Sequence, residues 1–353
     1  MHTRALPKDT DPLQAAKDAG LHYVSDSTPG ISRQKKGGSF SYKDQHGKNI
    51  SDRTTLERIE GIVIPPAWKD VWICPSPLGH IQATGRDERG RKQYRYHEHW
   101  QTLRNHTKFD KIVSFGFVLP KIRMQIHEDL HGSDLTEKRL LAAIVHLLDV
   151  THMRVGNEEY AKENHSYGLT TLQNRHVKLH GNEIRFRFSG KSGVHQDIDI
   201  HDTRLANVIR DCQEISGHEL FHYLDETSEW KPVHSDQVNA YIQNIAKEHF
   251  SAKDFRTWGG TVSAAGSFVD LGEKEGTQMK KAIVEAVKRA ASALGNRPAT
   301  CKKYYIDPRI IVAYIEQELC STLEKYLKEK SQKSDHDLHP LEKGVHHVLQ
   351  KKQ

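Results

Sequence analysis

The chain has 353 residues, with 52 Lys and Arg against 46 Asp and Glu, a net charge of +6. That length buries a large core and suggests two or three domains, and the charge fits a moderately basic soluble protein for which a polyanionic partner is open but not demanded. No apolar run spans a bilayer, the N-terminus lacks a signal-peptide pattern, and neither GxxxxGK[ST] nor a helix-opening GxGxxG occurs, so membrane insertion and nucleotide-driven chemistry are not expected. The four cysteines (Cys74, Cys212, Cys301, Cys320) form no CxxC pair and fit free thiols in a reducing cytoplasm.

Along the first hundred residues, turn pairs separate short strand-like pieces: GSFSYK, DVWICPSPLGHIQAT and RKQYRYH. Trp68, Trp72 and Trp100 are assigned to the core of this part. From about Phe109 the pattern becomes helical, in VLPKIRMQIHEDL and then in SDLTEKRLLAAIVHLLDVTHM, which opens on Ser/Asp capping signals. A small strand insert follows, in which Ile184, Phe186 and Phe188 alternate with Arg185 and Arg187 and Gly-Lys-Ser-Gly reads as a hairpin turn. Helices resume with SDQVNAYIQNIAKEHF, SAKDFRTWGGTVSAAGSF and GTQMKKAIVEAVKRAASALG. In the last of these Ile283, Ala286, Val287, Ala290, Ala293 and Leu294 share a face and Gly295 stops the helix. The charged end, EKSQKSDHDLHPLEKGVHHVLQKKQ, reads as a mobile tail or a marginal helix. The fold class is α+β: a β-rich domain over 1–107, a larger mostly α domain with a small strand insert over 108–328, and a charged tail over 329–353.

Four features carry chemistry. Arg154 lies just beyond an apolar helix, Lys191 sits at the hairpin tip, and Lys253 and Arg256 share a short helix followed by Trp258 and a glycine pair. Asn296 ends a helix nine residues before a tyrosine. Alone, each is weak, because terminal arginines and turn lysines are usually solvated. Together they supply what metal-free phosphoryl transfer requires. Guanidinium forks hold non-bridging oxygens, a mobile lysine protonates a departing alkoxide, and a tyrosine becomes a covalent phosphotyrosine. A tyrosine hydroxyl, with an ordinary pKa near ~10, needs positive charge around it to act at neutral pH. Neighbouring residues on a helix point about 100° apart, so only one of Tyr304 and Tyr305 can face the arginines.

The order R-x-G-N, G-K-x-G, K-D-x-R-T-x-G and G-N/H-x-P followed by Tyr resembles type IB DNA topoisomerases of the compact poxvirus-like and bacterial kind. GLTTLQNRHVKL, IPPAWKDVWI and GRKQYRYH extend the resemblance over most of the chain, the far C-terminal tail excepted. The resemblance implies that Arg154 and Arg256 are the transition-state arginines, Lys191 the general acid, Lys253 a supporting base near the leaving oxygen and Tyr305, not Tyr304, the nucleophile. Asn296 stands where many relatives carry histidine; its amide donates a hydrogen bond but carries no charge. Lys302 and Lys303 are then helix-surface or DNA-facing charges. Arg91, Gln93 and Tyr94 match DNA-contacting positions of an N-terminal DNA-binding domain. The implied protein is a monomer that clamps duplex DNA without cofactor, nucleotide or metal, in a cytoplasmic, nucleoid-associated setting, and relaxes supercoils of either sign.

Three other readings compete. His218, Glu219 and His222 spell HExxH, which on a helix would present two imidazoles to zinc. Among 24 histidines such pairs are expected by chance, and the segment also resembles an ordinary E-L-F-x-Y-L helix with Leu220, Phe221 and Leu224 inward, so no metal site is assigned. TGRDERGRKQYRYHEHW suits a phosphate-tracking surface or an exposed edge strand kept soluble by its charges. A tyrosine recombinase would use similar chemistry, but its H-x-x-R box is absent, Lys253 standing at the first position, and its N-terminal domain would be helical.

Overall fold

The computed structural model describes residues 12–353 apart from 133, 216–218, 226, 330–333, 335 and 353, and leaves aside the side chains of 105–107 and 160. Two compact units divide the chain, Met1–Lys111 and Ile112–Gln353.

The first unit opens with a short helix α1 (Pro12–Asp18) and is built on an antiparallel five-stranded sheet. Its strands are β1 (Ile31–Lys36), β2 (Ser39–Lys43), β3 (Lys69–Ile73), β4 (Ile81–Arg86) and β5 (Lys92–Tyr96), ordered β2-β1-β3-β4-β5, with α2 (Arg53–Gly61) between β2 and β3. Ile31, Ile59, Val71, Ile73 and Ala83 form its core beneath Trp68. Trp100 and Leu103 close a second cluster with Ala15, Ala16 and Leu21. Trp72 is the exception to the expected core tryptophans. It lies half-buried across Gly30, where a Cβ would sit 2.1 Å from the indole nitrogen, and donates to Thr28 O at 2.9 Å. Strand β1, ISRQKK, has no apolar alternation to announce it; its register comes from pairing with β2 and β3. Helix begins earlier than expected, with α3 (Glu98–Asp129) starting at Glu98.

In the second unit α4 (Glu137–Thr151) starts at Thr136, whose hydroxyl accepts from Arg139 N, so the cap is Thr136 rather than the Ser/Asp pair before it. After α5 (Glu158–Asn164) comes the antiparallel sheet β6 (Val177–His180), β7 (Glu183–Ser189) and β8 (His195–His201), in that order. Ile184, Phe186 and Phe188 are buried, while Arg185 and Arg187 face outward to Asp197 at 2.9 and 3.2 Å. The Lys191–Gly193 turn joins β7 to β8 as the expected hairpin, with Ser192 and Gly193 at positive φ.

Helix α6 (Thr203–Gln213) leads to the HExxH segment, where the helical expectation fails. His222–Leu224 is a strand, β9, paired with β10 (Trp230–Pro232), and Leu224 is 45 % exposed although Leu220 and Phe221 are buried. Residues four apart in a strand share a face but stand about 13 Å apart, whereas a helix brings them within one turn of each other. His218 lies outside the described residues.

The remaining helices are α7 (Ser235–Ala246), α8 (Ala252–Leu271), α9 (Gly276–Ala293), α10 (Pro298–Tyr304), α11 (Pro308–Ile315), α12 (Leu319–Lys328) and α13 (Pro340–Lys351). Helix α8 is the axis of this unit. It packs against α4, α7, α9, α11, α12 and α13, and it is buried on most faces. It is not the short helix expected around KDFR, because Gly259 and Gly260 lie inside it. No helix among the described residues is long and apolar enough to cross a membrane. The four cysteines are buried free thiols.

Of the two readings of the charged end, tail or marginal helix, the segment from Pro340 onward takes the helix, and it packs. Helix α13 buries Val345, Val348 and Leu349 in the main core, and its His346 hydrogen-bonds Val113 O at 2.9 Å. The periodicity of these few apolar residues is diluted by lysines and histidines, which explains the weak signal. Leu349→Ala should cost roughly 2–5 kcal/mol in chemical denaturation, whereas an unpacked tail would show no change. Burial depresses the His346 pKa, so above pH 6.5 folded and unfolded chains both carry neutral imidazole there. Below that pH the unfolded chain takes up the proton first. Stability should therefore fall as pH drops from 7 to 5, and His346→Gln, which can keep the bond to Val113, should flatten part of that loss in melting-temperature measurements.

Candidate active site

Arg154 follows the end of α4. That helix closes on His152, which holds a left-handed backbone (φ 54°) as its cap and turns the chain toward α8. Arg256, one turn into α8, is 4 % exposed. Its guanidinium donates to the carbonyl of His152 through one terminal nitrogen and to Leu294 O at 2.9 Å through the other. The guanidinium carbon stands 5.0 Å over the ring of Tyr305. Arg154 donates to Asn296 Oδ1. Four of the sequence-predicted residues, Arg154, Arg256, Asn296 and Tyr305, are thus linked through Arg256 and Arg154 although they span half the chain.

Local sequence explains each placement. Gly295 ends α9 at φ 57° and turns the chain so that Asn296 N bonds Ala291 O at 2.8 Å. A Cβ on Gly295 would lie 2.3 Å from the amide of Gln196 on β8, so the lysine hairpin's strand is packed directly against this turn. Pro298 starts α10, and Tyr305 caps it with a non-helical backbone. Tyr304, the last helical residue, is 39 % exposed and lies under Lys303.

The glycine pair of α8 lets two backbones approach. A Cβ on Gly259 would sit 2.4 Å from the His152 ring, and one on Gly260 would sit 2.5 Å from Tyr305 O. Thr261 adds a hydroxyl that donates toward Tyr305 O at 3.3 Å and accepts from Asp307 N at 3.1 Å. His152, Gly259, Gly260 and Thr261 were not foreseen as site residues. The only sequence signal was the glycine pair itself, an unfavourable choice inside a helix unless close approach requires it.

The electrostatics are unusual. Among the described residues no carboxylate pairs with Arg154 or Arg256, and Arg256 Nε, Asn296 Nδ2 and His152 Nδ1 are buried without a hydrogen-bond partner. Burial, reinforced by Arg154, pushes Arg256 down to about 10, still fully charged at pH 7; Tyr305 opposes the shift. Burial also lowers Arg154, again opposed by Tyr305. Two desolvated cations held side by side are costly unless an anion joins them. The arrangement therefore suits a ligand with anionic oxygens.

Lys191 is exposed at its hairpin tip, and Lys253 is exposed one turn before Arg256. In the first unit Arg91, just before β5, and Gln93, on it, both contact Asp87 Oδ2, at 2.8 and 3.0 Å, while Tyr94 is 42 % exposed and stacks on Tyr96 at 5.8 Å. No group of His, Cys, Asp and Glu among the described residues is arranged to hold a metal ion.

The close approach at Gly260 yields a test. Gly260→Ala must displace the Tyr305 backbone, and a misplacement of about 1 Å at a reacting group can cost on the order of 10²-fold in rate. Single-turnover DNA cleavage by this variant should fall by roughly that factor with DNA affinity retained; an unchanged rate would show that Tyr305 has no tight positional requirement.

Comparison with known proteins identifies the family. The family model described as eukaryotic DNA topoisomerase I, catalytic core, matches residues 97–334, and that of the bacterial DNA topoisomerase IB N-terminal domain matches residues 39–87. The chain is 33 % identical to DNA topoisomerase 1B of Acanthamoeba polyphaga mimivirus over 287 residues, covering 78 % of this chain and 85 % of that protein. It is 26 % identical to DNA topoisomerase I of Monkeypox virus over 270 residues (74 % and 82 %), and 24 % identical to DNA topoisomerase 1 of Rabbit fibroma virus over 309 residues (81 % and 92 %). With a catalytic-core match over more than half its length, the chain belongs to the type IB DNA topoisomerase family.

Proposed function

We propose that this protein relaxes positive and negative DNA supercoils as a monomer, by transient cleavage of one strand, and that Tyr305 is its nucleophile. The observation that carries the reading is a buried guanidinium, Arg256, beside the half-buried Arg154, neither paired with a carboxylate among the described residues, with Arg256 standing over the Tyr305 ring. In this mechanism the tyrosine oxygen attacks a backbone phosphorus, forming a 3′-phosphotyrosyl bond and releasing a 5′-hydroxyl. Arg154 and Arg256 neutralise the non-bridging oxygens as charge accumulates in the pentacoordinate transition state. Asn296 acts twice: its Oδ1 fixes Arg154 and its Nδ2 remains to donate to a phosphate oxygen. Without an imidazole at position 296, no proton transfer there contributes to the pH profile.

Lys191, on an exposed turn anchored by strands β7 and β8, delivers the proton to the departing 5′-oxygen and withdraws it for religation. Lys253 adds positive charge near that oxygen. Transesterification exchanges one phosphodiester for another of similar energy, so ATP is not required, and the arginines supply the charge that a divalent metal would. The first unit adds duplex contacts through Tyr94, Gln93 and Arg91, and the two units close on DNA as a clamp.

Plasmid relaxation in EDTA without ATP tests this reading. Tyr305→Phe should abolish relaxation and the covalent adduct, while Tyr304→Phe retains both; loss in Tyr304→Phe alone would move the nucleophile by one residue. Arg154→Ala and Arg256→Ala should each slow cleavage by about 10²–10³-fold. Affinity for duplex DNA should drop by roughly 10³-fold or more between 50 and 200 mM salt, as expected for six or more phosphate contacts. A salt-insensitive affinity would exclude the clamp. Strand exchange that needs paired specific sites would instead favour a recombinase.

A further inference from the structure

The matched catalytic core ends at residue 334, and α13 lies beyond it. We infer that Glu342 on α13 is a positioning residue for Arg256, so that the C-terminal helix is a working part of the active site. The inference rests on Arg256 acting in catalysis.

Glu342 is 8 % exposed and accepts four hydrogen bonds. Trp258 Nε1 donates to its Oε1 at 2.8 Å, and Arg123 binds both oxygens in a fork, at 2.9 and 2.8 Å. The backbone N–H of His339 completes the set at 2.8 Å. Burial alone would raise the carboxyl's pKa, but Arg123 outweighs it and keeps Glu342 ionised.

Two routes lead from this carboxylate to Arg256. Trp258 is two residues further along α8, so Glu342 fixes the turn that presents Arg256. Arg123 also forks onto Asp149, at 2.7 and 3.1 Å, one turn before the end of α4. That end is His152, whose carbonyl receives the Arg256 guanidinium. One carboxylate thus ties together the helix that carries Arg256 and the helix end that holds its guanidinium. The same α13 reaches the tyrosine side, where Arg309, paired with Asp307 at 2.7 Å, donates to Leu349 O at 3.3 Å. A merely structural contact would hold α13 to the core; this network also restrains the reacting groups' immediate supports.

The test is a double-mutant cycle on single-turnover cleavage of a suicide duplex, with rates normalised to the active fraction. Glu342→Gln can keep the bonds to Trp258 and one Arg123 nitrogen with its carbonyl, but its NH2 then faces the donors of Arg123 and His339 that Oε2 accepted, so the fork is broken. It should slow cleavage by about tenfold, leave duplex affinity within about twofold, and cause no further loss in an Arg256→Ala background. Trp258→Phe, which removes the indole N–H while keeping an aromatic ring, should act in the same direction if Glu342→Gln lowers the folded fraction too far to measure. A normal rate per active molecule in both variants, or a loss fully additive with Arg256→Ala, would overturn the inference. If Arg256→Ala itself cleaved normally, the reading of the site would fall, and this inference with it; that outcome is separable because it appears in the single variant.

Discussion

The structure turns on the cost of holding the buried Arg256 guanidinium beside the half-buried Arg154, with no carboxylate pairing either among the described residues. Like charges disfavour one another and burial penalises both, so the chain must supply that free energy from packing elsewhere. What it supplies is α8, a helix surrounded by six others, with glycines where neighbouring backbones must come within contact distance. Backbone carbonyls, which carry only partial negative charge, restrain Arg256 without neutralising it. A carboxylate in either place would have lowered the cost and occupied the fork that an anionic ligand needs.

Asn296 fits the same constraint. A protonated imidazole would bring a third positive charge beside Arg154. The amide instead accepts from Arg154 and keeps its own donor available, giving orientation without further repulsion. Lys191 follows a different logic under the proposed mechanism: a group that would pass a proton to and from a mobile oxygen is better placed on a turn than locked in the core.

The candidate site was largely legible in the sequence because its residues are linked to rigid local devices. Gly295 stops α9, Pro298 starts α10, and the spacing between Asn296 and Tyr305 decides which tyrosine meets the arginines. The strand insert was readable from the alternation of Ile184, Phe186 and Phe188 with arginines. Strand β1 was not, because ISRQKK is polar and owes its conformation to its partners. The HExxH segment was misread as helix because apolar residues over so few positions do not distinguish the two periods, and pairing with β10 decides. Helix α13 was legible only as a tail or a marginal helix because half of its face is charged or histidine. The significance of Glu342 depends on Arg123, Asp149 and Trp258, which lie more than eighty residues away and share no local pattern with it.

Arg123 and Arg256 show how structure separates a folding charge from a functional one. Both are arginines drawn into the same core. Burial works against each, but at Arg123 two carboxylates, Asp149 and then Glu342, outweigh it and hold the guanidinium above its ordinary pKa. At Arg256 no carboxylate among the described residues answers, and the pKa falls. If both charges served the fold alone, the same solution would be expected at both, since an uncompensated buried charge is among the more destabilising features a chain can carry. The pairing of one and the isolation of the other imply that the partner of Arg256 arrives from outside the chain. Its anionic oxygens would relieve the strain that packing around α8 maintains, so that the binding energy appears where negative charge grows during reaction.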